Sequence, residues 1–153
     1  MRSHRVGILV SVLGVLSLGL GLSLPASARD DRLKFSIKAA LSSPAARAKL
    51  DPKVALYFGK SAHPPGHDLG SYSSSKKTRA LGKSDQNACE WAFLSAVLDL
   101  QDRVRQLQGT AMVAIESSYK NEVIVSQDEF ICGAGTMVAG VSLRGQVIKS
   151  GGK

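Results

Sequence analysis

Three sets of residues in this chain have the types and spacing to do chemistry. Gly59-Lys60-Ser61 and Gly82-Lys83-Ser84 each end like a phosphate-binding loop. His63 and His67 flank Pro64-Pro65-Gly66, with Asp68 beside the second imidazole. Cys89 and Cys132 are the only 2 cysteines in the sequence. A phosphate loop closes a ring of backbone amides, and it needs another glycine five positions before the glycine of the triplet. Val54 and Lys77 occupy those positions. The second triplet precedes a helical pattern, but Ser73 to Leu81 does not read as the strand that should lead into it. Both triplets therefore read as turns, the second with a helix cap, and neither ATP nor any other cofactor is expected. The histidine loop offers two imidazoles and a carboxylate, donors that zinc, copper or nickel accepts. Its plainer reading is a solvated loop, because the prolines restrict geometry without making the donors converge.

The first 28 residues set the compartment in which the cysteines are read. Arg2, His4 and Arg5 make a basic start, Val6 to Leu24 is uncharged and apolar, and Ala26-Ser27-Ala28 is the small-x-small pattern that signal peptidase cuts. Cleavage is expected between Ala28 and Arg29, with no lipid-bearing cysteine near the cut and no membrane anchor left afterwards. It removes 28 of 153 residues and two arginines, so the remaining 125 carry a net charge of +6 instead of +8. A chain of that length is one domain. The expected address is the periplasm or the medium. The positive excess suits an acidic envelope component or another envelope protein, although scattered cations also serve solubility alone.

In an oxidising compartment a lone cysteine pair is most simply one disulfide, Cys89–Cys132; two free thiols or a metal site are the alternatives. Cys132 shares strand parity with Phe130, Ala134 and Val138, a set that can lie beneath the helix carrying Cys89. Gly133 and Gly135 are expected to leave room for the short link.

No catalytic constellation emerges. Ser95 lacks a Gly-x-Ser-x-Gly elbow, His4 leaves with the signal, and Glu90, Glu116, Glu122, Asp128 and Glu129 follow a surface pattern without a matched acid and base. Lys76, Lys77, Arg79 and Lys83 form the densest basic cluster, beside Tyr72 and several serines. In an exported protein that cluster fits an acidic envelope polymer better than nucleic acid, and its plain reading is a solvated loop.

The elements that must position these residues follow from periodicity. Ser43-Pro44 starts a short helix over 44–50, Val54–Phe58 reads as a strand, and Lys60–Lys83 reads as a long exposed loop. Ser84 or Asp85 caps a long helix ended by Gly109, whose apolar stripe runs through Cys89, Ala92, Phe93, Ala96, Val97, Leu100, Val104 and Leu107. Two strands follow. The first, 110–119, is expected to set Ala111, Val113 and Ile115 on one face; the second, 129–143, carries glycines that suggest bulges. Lys120-Asn121 opens the turn between them, and Gly145–Lys149 finishes the fold. The expected fold is α+β, with one long amphipathic helix packed on a small, mostly antiparallel sheet.

Lys83 to Tyr119 and Glu129 to Gly145, above all the Cys-x-Trp-Ala-Phe-Leu-Ser-Ala helix and the Cys-Gly-Ala-Gly strand, resemble a family of short exported Gram-negative proteins often labelled "excinuclease ATPase subunit". The likeness spans about Leu50 to Ile148. It implies an exported domain, while the nucleotide loops and zinc modules of an excinuclease are absent. At the level of fold alone, the long helix followed by a strand is similar to envelope stress-sensor lipoproteins and heavy-metal-binding envelope domains. The expected function is a non-enzymatic interaction or structural domain of the envelope. A metal-binding envelope protein using His63, His67 and Asp68 is the alternative.

Overall fold

The computed structural model describes residues 29–120 and 122–151. Ala28 and the rest of the signal-peptide reading lie outside them. The described chain runs β1 (Asp31–Ser36), α1 (Ile37–Leu41), α2 (Pro44–Lys49), β2 (Ala55–Phe58), β3 (His67–Arg79), α3 (Asp85–Gln106), β4 (Ala111–Tyr119), β5 (Glu122–Ile124), β6 (Glu129–Ala134) and β7 (Val138–Lys149). The class is α+β, and the sheet dominates: its 7 strands form one mixed sheet rather than the small one expected. No helix among the described residues is long and apolar enough to cross a membrane.

Each helix begins with a serine whose hydroxyl accepts an otherwise orphaned amide. Ser36 caps α1, Ser43 caps α2 with Pro44 at its first position, and Ser84 caps α3 by accepting from the Asn87 amide at 3.2 Å. Asp85 in the first turn of α3 and Arg103 and Arg105 in its last complement the helix dipole. At the far end Gln108, at φ 54°, takes the left-handed position expected of a glycine. Gly109 is needed for a different reason: a Cβ there would stand 2.7 Å from Val147 Cγ1.

The long strand β7 organises the sheet. Antiparallel β3 runs along one of its edges from His67↔Lys149 to Arg79↔Val138. Antiparallel β4 takes the other edge from Ala111↔Ile148 to Ser118↔Ser142, and β6 replaces it at Gly133↔Gly140 and Ala134↔Ala139. Where β4 and β6 part, the buried Ser117 hydroxyl accepts from the Ile131 amide at 3.0 Å and donates to its carbonyl at 3.3 Å. That one side chain supplies the backbone pairing which divergence removes. Strand β1 extends the sheet beyond β6, β5 folds back on β4, and β2 lies parallel to β4.

Helix α3 covers one face of this sheet. Its buried stripe, from Ala88, Cys89, Ala92 and Phe93 to Leu100 and Val104, packs with Met112, Ile115, Phe130, Cys132, Ala139, Val141, Leu143 and Val147 in one core. All 4 phenylalanines join there: Phe93 stacks on Phe130 with centroids 4.2 Å apart, and Phe58 and Phe35 extend the row on either side at 6.0 Å. Gln101 is the buried polar exception on the helix. It accepts from the Asp51 amide at 3.0 Å and donates to the carbonyls of Asp51 and Val54, fastening the segment before β2 to α3.

Four expectations need correction. Residues 60–83 are not one exposed loop, since thirteen of them, His67 to Arg79, form β3. Ala111 and Val113 do not share a face with Ile115. A bulge between Val113 and Glu116, with Ala114 at φ 48°, inserts one residue, so Met112 and Ile115 reach the core while Ala111 and Val113 join Ile148 in a small cluster on the other side. Val138 does not continue the apolar set of Phe130, Cys132 and Ala134, because the β6–β7 turn resets the register and leaves it 46 % exposed. Gly133 makes room not for the disulfide but for Tyr119, whose Cζ would lie 1.9 Å from an added Cβ on the opposite face.

Candidate functional site

The disulfide is present. Cys89 and Cys132 are bonded, with Cα atoms 5.9 Å apart and both residues fully buried between α3 and β6. It is a structural brace, since neither sulfur reaches solvent.

The face of the sheet opposite α3 is where polar chemistry collects. Alternation along β3 turns Ser71, Ser73, Ser75, Lys77 and Arg79 to this open side and Tyr72, Ser74, Lys76 and Thr78 toward α3. On the open side the row continues across to β7, where Ser75 and Ser142 hydroxyls lie 2.6 Å apart and Arg144 stands opposite Ser73. Arg144 is ion-paired with Glu116 of β4. Beside that pair, Ser71, Ala114, Glu116, Arg144 and Gln146 line a shallow depression of about 300 Å³ next to the β4 bulge. Lys77, Arg79 and Lys83 have no ion-pair partner among the described residues. The basic cluster read from sequence is thus divided by strand geometry. Lys76 belongs to the helix side, 3.2 Å from Asp99. The Ser74 hydroxyl and then the Lys76 ammonium hold the Asp99 carboxyl below its ordinary range, against the effect of partial burial. Arg103 lies over the Tyr72 ring at 4.8 Å, which removes that tyrosine from the open face.

The histidine loop is short. His63 rests 5.8 Å from the Tyr57 ring, and its Nδ1 lies 3.0 Å from the Pro64 carbonyl. His67 begins β3 opposite Lys149, and the Asp68 carboxylate accepts from the Gly70 amide at 2.7 Å. Among the described residues no three His, Cys, Asp or Glu side chains gather as a metal would require.

The Gly-Lys-Ser triplets have structural roles. Gly59, at φ 58°, passes within 2.8 Å of the Ser126 carbonyl carbon at an imagined Cβ, and Ser61 folds back on the Phe58 carbonyl. Gly82, at φ 76°, turns the chain, the Lys83 amide donates to the Ala80 carbonyl, and the Ser84 hydroxyl is occupied as the α3 cap. A strand does precede this second triplet, contrary to expectation. Even so, Lys77, Thr78 and Arg79 are extended strand residues, in the window where a phosphate loop would curl.

The serine and carboxylates considered for catalysis are placed apart. Ser95 donates to the Trp91 carbonyl, Glu90 accepts from Gln86, and Glu122 pairs with Arg32. Asp30 and Tyr119 escaped the sequence reading. The Tyr119 hydroxyl donates to the Asp30 carboxylate at 2.6 Å, which raises the tyrosine pKa and lowers that of Asp30, where Lys120 is the stronger cause. With Arg29 paired to Asp31 and Asp85, these contacts tie down the start of the described chain. A second cleft of about 300 Å³ lies between α2 and α3, lined by Pro44, Asn87, Glu90, Trp91 and Leu94. Ser43 also lines it, with its hydroxyl engaged by the Ala46 amide as the cap of α2, and the Glu90 carboxylate is held by Gln86.

No family model, curated protein or solved structure matches this chain.

Proposed function

We propose that the chain is an exported, non-enzymatic protein of the bacterial envelope that binds an acidic envelope component on its open sheet face. It is made with a signal peptide cut between Ala28 and Arg29 and works in the periplasm or beyond the cell. The Cys89–Cys132 bond is compatible with that address, since such bonds persist in oxidising compartments. The reading agrees with the resemblance to short exported Gram-negative proteins, without the nucleotide chemistry their label implies. Lys83 and Ser84, the residues a phosphate loop would use, close a turn and cap a helix.

One observation carries the acidic partner: the straight row of Ser71, Ser73, Ser75, Lys77 and Arg79, with Ser142 and Arg144 beside it, on a face that no helix among the described residues covers. Eight residue steps of extended strand span about 26 Å, enough to meet several units of an extended polymer. Hydroxyls and guanidinium groups donate hydrogen bonds, and carboxylates and phosphates accept them. The two cations without partners provide the attraction.

The test is binding of residues 29–153 to labelled polygalacturonate, a soluble carboxylate polymer. Affinity should fall at least tenfold between about 0.01 M and 0.15 M ionic strength, as the Debye length shrinks from roughly 30 to 8 Å. Lys77→Glu with Arg79→Glu should reduce it by a further order of magnitude at low salt, with melting unchanged. Equal affinity of wild type and the double variant would end the assignment of this face.

A further inference from the structure

One end of the molecule combines exposed apolar side chains with free cations. There β3 leaves the sheet through the turn at residues 80–84, and β6 turns into β7 at residues 135–137. The two turns touch, because the Ala80 amide donates to the Met137 carbonyl at 2.8 Å and Arg79 pairs in register with Val138. Leu81 is 50 % exposed, Met137 55 % and Val138 46 %, three of the six large apolar residues that the described fold leaves in solvent. Gly82 has nothing within 4 Å of an added Cβ, so the Leu81 turn stands clear of the body. Arg79 and Lys83 flank it without ion-pair partners among the described residues. The nearby acids, Asp31 and Asp85, are both engaged by Arg29.

We infer that this end is a membrane-docking tip, which seats Leu81, Met137 and Val138 at the acyl boundary of a bilayer while Arg79 and Lys83 meet anionic headgroups. Apolar residues flanked by two unpaired cations are complementary to an anionic lipid surface, where apolar area enters the interface and each Lys or Arg adds electrostatic attraction. Three aliphatic side chains and two charges are too few for permanent anchoring, so the contact is peripheral and reversible. The inference shares Arg79 and the exported address with the proposal above, but its apolar determinants lie outside the polymer-binding row.

The experiment is co-sedimentation of residues 29–153 with large vesicles, either of phosphatidylethanolamine with phosphatidylglycerol or of phosphatidylcholine alone. Binding is expected to the anionic vesicles and not to the neutral ones. Lys83→Glu should weaken it by at least about fivefold, and Leu81→Ser with Met137→Ser by at least about tenfold. The substituted side chains are exposed, so unchanged melting will show that the variants fold. The Leu81→Ser, Met137→Ser variant should still bind polygalacturonate like wild type, which separates the tip from the open face. Wild-type binding of that variant to anionic vesicles, or no vesicle binding at low ionic strength, would overturn the inference. So would a concentration-dependent dimer abolished by the same two substitutions, since the apolar end would then belong to a second copy.

Discussion

Replacing both bonded cysteines, Cys89→Ala with Cys132→Ala, should lower the melting temperature by roughly 12–20 °C. The bond joins residues 43 positions apart, and the closed segment contains most of α3, all of β4 and β5, and the start of β6. In the chain-entropy account, opening a loop of that length frees the unfolded chain by about 4 kcal/mol, a large share of a small domain's ~5–15 kcal/mol. Both sulfurs are buried, so a reductant acts slowly on the native state and the double variant is the cleaner comparison. Thiol titration of the denatured, unreduced wild type should find no free cysteine. A variant that melts within about 3 °C of wild type would mean that the native packing, not the bond, constrains this region.

The second large effect is expected at Phe93, which touches the aromatic rings of both β2 and β6 from the middle of α3. Phe93→Ala should cost about 3–5 kcal/mol in denaturant unfolding, through lost transfer energy and a cavity at the centre of the phenylalanine row. Phe93→Leu retains most of the volume and should cost less than about 2 kcal/mol. Phe93 lies one helical turn from Cys89 on the same stripe, so its loss and that of the disulfide should not add independently. A loss below about 1 kcal/mol in Phe93→Ala would show that α3 is not held through this row.

Helix α3 and the disulfide were legible because the helix repeats its apolar residues at 3.6 spacing, from Cys89 to Val104, with a serine cap before them. Strand β3 was not legible. Its inward positions are Tyr72, Ser74, Lys76 and Thr78; Ser74 and Lys76 meet Asp99 on the polar shoulder of α3, Arg103 lies over the Tyr72 ring, and only Tyr72 of the four packs against the core. The expected apolar alternation is therefore missing, and a run of Ser, Lys and Arg looks like a loop. Strand β1 offers only Leu33 and Phe35 to the core, too short a signal to distinguish from the helices that follow it. The β4 faces were misread because a bulge needs no distinctive residue: Ala114 adopts a positive φ without a glycine to announce it. The open face went unseen for the same reason as β3. Lys76 and Lys77 are neighbours in sequence, and only the knowledge that they lie in a strand places them on opposite sides. Arg144 and Ser142, far along the chain, join the row only through β3–β7 register.

The proposed envelope partner depends on export, an address with which the Cys89–Cys132 bond is compatible. Intact-mass analysis under non-reducing conditions, on protein recovered from the periplasm or medium of expressing cells, tests this directly. The predicted result is a single species beginning at Arg29 whose mass is two hydrogens below that of residues 29–153 with free thiols. Full-length chain retained in the cytoplasm with both thiols reduced would contradict it.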